Sequence, residues 1–145
     1  MKLFTIGFTQ TSAEFFFERL MRSNSRRLID VRLNNSSQLA GFAKAQDLEY
    51  FLRTIGRIEY VHEPLLAPTQ EILNAYRKQK GDWSVYEQRF LDLMAQRRIE
   101  DRLSPNLFDQ ACLLCSEAKA HHCHRRLVAE YLNDRWGQFL QVVHL

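Results

Sequence analysis

Between Ala111 and Leu132 the sequence ACLLCSEAKAHHCHRRLVAEYL passes from a short apolar run to a polar connection and then to an amphipathic stretch. The run Ala111–Cys115 has the length and content of a buried strand, and Ser116-Glu117 ends it. At about 100° per residue, Leu127, Val128, Tyr131 and Leu132 lie on the same side as His124, so a helix opening near Cys123 buries that stripe. A buried strand, a loop and a packed helix in that order point to an open α/β sheet. In such sheets the loop after a strand's carboxyl end is where ligands bind.

The rest of the chain repeats the alternation. Strands are expected within 3–8, 27–33, 58–62 and 139–144. Thr11-Ser12-Ala13-Glu14 and Ser84-Val85-Tyr86-Glu87 read as capping boxes that open helices on Phe16, Phe17, Leu20 and on Phe90, Leu91, Met94, the second extending to Ile99. A polar turn at Asn34–Ser37 leads to a helix over roughly 43–54. Pro68-Thr69 starts another through Ile72, Leu73 and Tyr76, which ends near Gly81. The final helix should stop at Gly137. Strands separated by helices imply right-handed crossovers. The expectation is a single α/β domain over residues 1–145, with about five mostly parallel strands and helices on both faces.

Composition limits the function classes. Lys and Arg outnumber Asp and Glu by 20 to 17, a net charge of +3 that allows a phosphate-bearing partner without demanding one. The opening MKLFTIG lacks the apolar region and cleavage site of a signal peptide, and no run approaches the roughly 18 apolar residues of a membrane span. Three cysteines suit a reduced compartment better than a disulfide framework. A cytoplasmic protein with no membrane partner is expected.

Cys112 and Cys115 lie three apart on a strand, so they point to opposite faces and cannot act together. Cys112 reads as core. Cys115, at the strand's end, is open to either packing or chemistry, decided by local charge and access. His124 heads a buried stripe and needs a hydrogen-bonding role, structural or catalytic. Arg125 beside a helix N-terminus favours an anion. Glu117 is either a loop carboxylate or a general base and a partner for Arg125 or Arg32. His121 and His122 are expected exposed and inert. Asp30 and Arg32 share one face of the second strand, where they must pair or be used. Gly7 permits a close backbone approach. A metal held by Cys115, Cys123 and His124 is disfavoured, because C-x7-C-H matches no common ligand pattern and adjacent helical residues diverge by about 100°. No cofactor or metal is therefore expected.

Thr5-Ile6-Gly7, Asp30-Val31-Arg32, Tyr60 with His62, Leu114-Cys115-Ser116-Glu117, Cys123-His124-Arg125-Arg126-Leu127 and Val143-His144-Leu145 follow one another along almost the whole chain. Together they resemble the landmarks of DUF488, a prokaryotic family with no assigned function. Two departures stand out. Phe8 occupies a position where many members carry histidine, and Leu65-Leu66-Ala67-Pro68-Thr69 replaces a glycine-containing segment. The resemblance implies a fold class and a site but no reaction.

The leading reading is an enzyme with an anion pocket at the sheet's carboxyl edge, for phosphate on a nucleotide or nucleic acid. Cys115, Glu117 and His124 would be catalytic, and Asp30, Arg32, Cys123 and Arg125 substrate-binding. The alternatives are a non-catalytic module binding nucleic acid or protein, and a thiol-redox sensor using Cys115 and Cys123. An enzyme requires an open pocket where these side chains converge.

Overall fold

The computed structural model describes residues 1–35, 41–117 and 120–145. Lys2–Gly7 (β1), Arg27–Asp30 (β2), Glu59–His62 (β3), Ala111–Cys115 (β4) and Gln141–His144 (β5) form one sheet. Its order is β3-β2-β4-β1-β5, and every adjacent pair is parallel. All five carboxyl ends therefore face the same way, and register places Gly7 beside Cys115. β2 is shorter than expected. The Asp30 carboxylate takes the Arg32 backbone N–H at 3.1 Å and turns the chain out of the ladder. β5 also starts late, because Gly137 (φ +83°) and Gln138 (φ +64°) reverse the chain first. The expected turn at Asn34–Ser37 lies partly outside the described residues, since Ser36 and Ser37 are not among them.

Helices occupy Ala13–Ser23 (α1), Ala45–Phe51 (α2), Gln70–Arg77 (α3), Trp83–Arg97 (α4), Ile99–Arg102 (α5) and His124–Arg135 (α6). Both capping boxes are corrected by the structure. α1 is capped by Ser12, whose Oγ accepts from the Phe15 N–H at 3.1 Å. α4 is capped by Asp82, accepting from Ser84 N–H at 3.1 Å, so Ser84 and Glu87 fall inside the helix. In each case the extended residue with a side-chain acceptor is the cap, which the four-letter pattern alone misplaces. Ser12→Ala should cost about 1 kcal/mol, measurable as a lowered urea midpoint. An unchanged midpoint would show that α1 does not need its cap. Arg98 (φ +53°) breaks the helical run before Ile99, which is nevertheless fully buried.

Strand alternation divides the core between the two faces. Leu3, Ile29, Val31, Leu113 and Cys115 pack with residues of α4 and α6, including Phe90, Met94, Leu127 and Leu132. Phe4, Ile6, Leu28, Cys112 and Leu114 pack with Phe16, Phe17 and Leu20 of α1 and Leu48 of α2. The two β4 cysteines are thus on opposite faces, as a strand requires. Among the described residues no helix is long and apolar enough to cross a membrane.

Candidate functional site at the carboxyl edge of the sheet

The chain leaving β4 is held tightly against β1. A Cβ built on Gly7 would lie 1.6 Å from the Glu117 carbonyl oxygen, so only glycine lets the two backbones meet. The Thr9 N–H and hydroxyl donate to the Ser116 carbonyl at 3.0 and 2.5 Å. Arg125 donates through Nη1 to the Glu117 carbonyl and through Nε to Thr5 Oγ1 at 3.3 Å. Arg125 is buried, and these contacts hold the loop from its far side.

Cys123 is the N-cap of α6, in extended conformation (φ −142°, ψ 139°). The expected 100° divergence between Cys123 and His124 therefore does not arise, because it assumed that both are helical. The two side chains instead meet Cys115. One ligand atom from each of Cys115, Cys123 and His124 lies within 4.8 Å of the others, and all three residues are buried. The objection to metal binding based on divergence is overturned.

His124 Nε2 is 2.7 Å from the Val31 carbonyl, and its Nδ1 is 3.5 Å from Cys115 Sγ. A carbonyl only accepts, so Nε2 carries a proton and Nδ1 is the unprotonated nitrogen of the neutral ring. Cys115 Sγ also stands 3.7 Å from Nε2, so the sulfur lies beside both ring nitrogens and must swing towards Nδ1 to meet its lone pair. Burial lowers the His124 pKa and favours that neutral ring. For Cys115, burial opposes the thiolate. The Cys123 thiol donating to it, the Ser116 N–H, and the charges of Arg125 and Arg77 outweigh burial and hold Cys115 below the ordinary thiol value. Cys123 moves the other way, raised by the hydrogen bond it gives Cys115 and then by burial. For Cys112, burial outweighs the opposing charges of Arg125 and Arg19 and pushes its thiol far up.

Beside this pair, Arg32 forms a two-pronged ion pair with Asp30, with Nε–Oδ1 and Nη2–Oδ2 both 2.8 Å. Asp30 is 0% and Arg32 2% exposed. The Tyr60 hydroxyl donates to Asp30 at 2.6 Å, and burial followed by this bond raises its pKa. His62 meets the Arg32 carbonyl at 2.9 Å, and Phe8 lies under the guanidinium with its ring centre 5.2 Å away. The Arg32 Nη1 atom is buried and has no hydrogen-bond partner among the described residues.

A cavity of about 260 Å³ opens here, lined by Arg32, Asn34, Arg77, Cys115, Ser116 and His124 among others. A small adjoining void of about 20 Å³ is bordered by Cys115, Glu117, Cys123 and His124, with Tyr86 and Trp83 behind. A larger depression of about 660 Å³ between α4 and α5 is open and touches none of the residues singled out from sequence. Of those residues, Arg32, Cys115 and His124 line the main cavity, while Cys123 and Glu117 border the adjoining void. Asp30 stands behind Arg32, and Arg125 lines neither space.

Of the readings left open for Glu117, pairing with Arg125 or Arg32 is not the one observed. Its carboxylate pairs with Arg77 at 3.4 Å, while Arg125 binds the Glu117 backbone carbonyl. The sequence gives no signal for Arg77, an exposed cation in the last turn of α3. The Val31 carbonyl that orients His124 is equally invisible in a side-chain pattern. Tyr60 was legible only through the family landmarks. His122 is exposed but stacks on Trp83 with ring centres 4.8 Å apart.

The profile of the family described as "Domain of unknown function DUF488" matches residues 12–132. No match was found among curated proteins or among solved structures.

Proposed function

The chain belongs to the DUF488 family, and on that premise, which brings no reaction with it, we propose an enzyme that holds an anionic substrate at the sheet's carboxyl edge and attacks it with Cys115. The observation that carries this reading is the Cys115–His124 pair, 3.5 Å apart, with the imidazole oriented by the Val31 carbonyl. A thiol, a base and a group orienting the base are the parts of an activated nucleophile.

In this reading His124 Nδ1 takes the thiol proton, and the sulfur attacks the electrophilic centre and forms a covalent bond to it. The bond to the leaving group breaks, and His124 returns the proton to that group. A second nucleophile, giving its proton to Glu117 on the adjoining void, then displaces the sulfur and releases the product, and the thiolate takes a proton from solvent to regenerate the thiol. Arg32 Nη1, a buried donor without a hydrogen-bond partner among the described residues, and the half-exposed Arg77 supply positive charge for the substrate's anion. Phosphate borne by a nucleotide or nucleic acid is the substrate class that this charge and the modest overall excess of cations favour. Asp30 and Arg125 serve as positioning residues, the first for Arg32 and the second for the loop.

Cys115 should react with iodoacetamide at least about tenfold faster than Cys112 in the folded protein, since reactivity follows thiolate character and access. Inorganic phosphate should slow that labelling. Peptide mapping over time reads both results. If Cys112 labels as fast, Cys115 is not the nucleophile, and Glu117 and His124 remain as an acid–base pair. Phosphate binding detected by calorimetry, with Cys115 inert to iodoacetamide, would favour the non-catalytic binding module.

A further inference from the structure

We propose that Cys115, Cys123 and His124 form a binding site for one thiophilic divalent cation of the zinc class, and that its occupancy takes Cys115 out of reaction. Only the effect on reactivity rests on Cys115 being the nucleophile. The binding itself rests on the ligand geometry.

Tetrahedral zinc, with Zn–S of about 2.3 Å and Zn–N of about 2.0 Å, separates its ligand atoms by roughly 3.5–3.8 Å. Cys115 Sγ and His124 Nδ1 already stand 3.5 Å apart, and the three ligand atoms span at most 4.8 Å. Closing the set therefore asks the ligand atoms to draw together by about 1 Å and Cys115 Sγ, which also stands 3.7 Å from Nε2, to swing to the Nδ1 side of the ring. Two sulfurs and an imidazole select a soft or borderline ion over magnesium or calcium, which take oxygen ligands.

The surroundings also suit a metal. His124 gives its other ring nitrogen to the Val31 carbonyl at 2.7 Å, which fixes the ligating tautomer and ring direction. Arg125 Nη1 stands 3.7 Å from Cys123 Sγ and can donate to a bound thiolate. The fourth position is supplied from the cavity that Cys115 and His124 line, by water or a substrate oxygen. Each sulfur enters as a thiolate, so binding releases the thiol protons to solvent. The metal then holds the lone pair that Cys115 would use in attack.

The test uses the full chain, reduced and without competing thiols, titrated with Co²⁺ and then Zn²⁺. One equivalent of Co²⁺ should give a sulfur-to-cobalt charge-transfer band and the intense visible bands of a tetrahedral ion, which Zn²⁺ then removes. C115S, C123S and H124A should each weaken Zn²⁺ binding by at least about 100-fold, more than loss of a supporting contact typically costs. Cys112→Ala and His122→Ala should leave it unchanged. Absence of the charge-transfer band in the wild-type protein overturns the site, whatever the variants' folding. So does retained affinity in folded C115S or C123S.

Zn²⁺ should also slow iodoacetamide labelling of Cys115 at least tenfold, in keeping with ligation of its lone pair. Rapid metal-free labelling with no metal binding sinks this inference and leaves the nucleophile reading intact. Metal binding with slow labelling of the metal-free protein does the reverse for that reading and removes the effect on reactivity.

Discussion

Gly7→Ala should destabilise the protein by about 4 kcal/mol or more, in the range reserved for changes that force a backbone rearrangement. For a chain of this size that corresponds to a fall of roughly 8–16 °C in Tm. The added Cβ would stand 1.6 Å from the Glu117 carbonyl oxygen and 2.8 Å from Arg125 Nη1. A flexible side chain can yield, but this carbonyl belongs to a loop held by Thr9 on one side and Arg125 on the other. The loop must move, and Cys115 with it, so any variant that still folds should also lose the selective labelling of Cys115 over Cys112. Thermal and urea melts within about 0.5 kcal/mol of wild type would mean that β1 and the loop are not in contact.

The second large effect is expected at Arg32. Replacing it with methionine leaves the Asp30 carboxylate buried with the Tyr60 hydroxyl as its main remaining side-chain donor. Breaking a buried pair from one side typically costs about 3–5 kcal/mol. Removing both charges together, as in Asp30→Leu with Arg32→Met, should recover much of that loss, because the desolvation of two charges goes with them. The double variant should nonetheless lose phosphate protection of Cys115, since the Nη1 donor is gone. Urea denaturation separates the two outcomes. A neutral Arg32→Met would show that the pair is not buried as described.

Apolar periodicity reveals strand and helix order because burial imposes it. The run at 111–115 and the stripe from His124 to Leu132 could hardly pack otherwise. Cap positions were less legible, because Ser12 and Thr11 are chemically equivalent and only the backbone turn decides between them. Cys115, Cys123 and His124 were visible as a dense reactive segment, yet their convergence depended on Cys123 being extended, a matter of one residue at the helix start. The role of Arg32 was half visible. Its charge and face could be read, but an Nη1 atom with no partner among the described residues follows from Asp30 taking Nε and Nη2. Arg77 reaches the site from α3, and no local pattern announces a contact made across the fold.

The sheet order has a consequence for synthesis. β1 lies between β4 and β5, so it waits for partners more than a hundred residues downstream. At about 5–20 residues per second, roughly 5–20 s of translation separate Gly7 from Cys115. During that interval Phe4 and Ile6 lack the neighbours on β4 and β5 that later cover them. A nascent chain stalled before β4 emerges would therefore present an unpaired, apolar strand to chaperones, and the thiol–imidazole pair could assemble only once both β4 and the start of α6 have emerged.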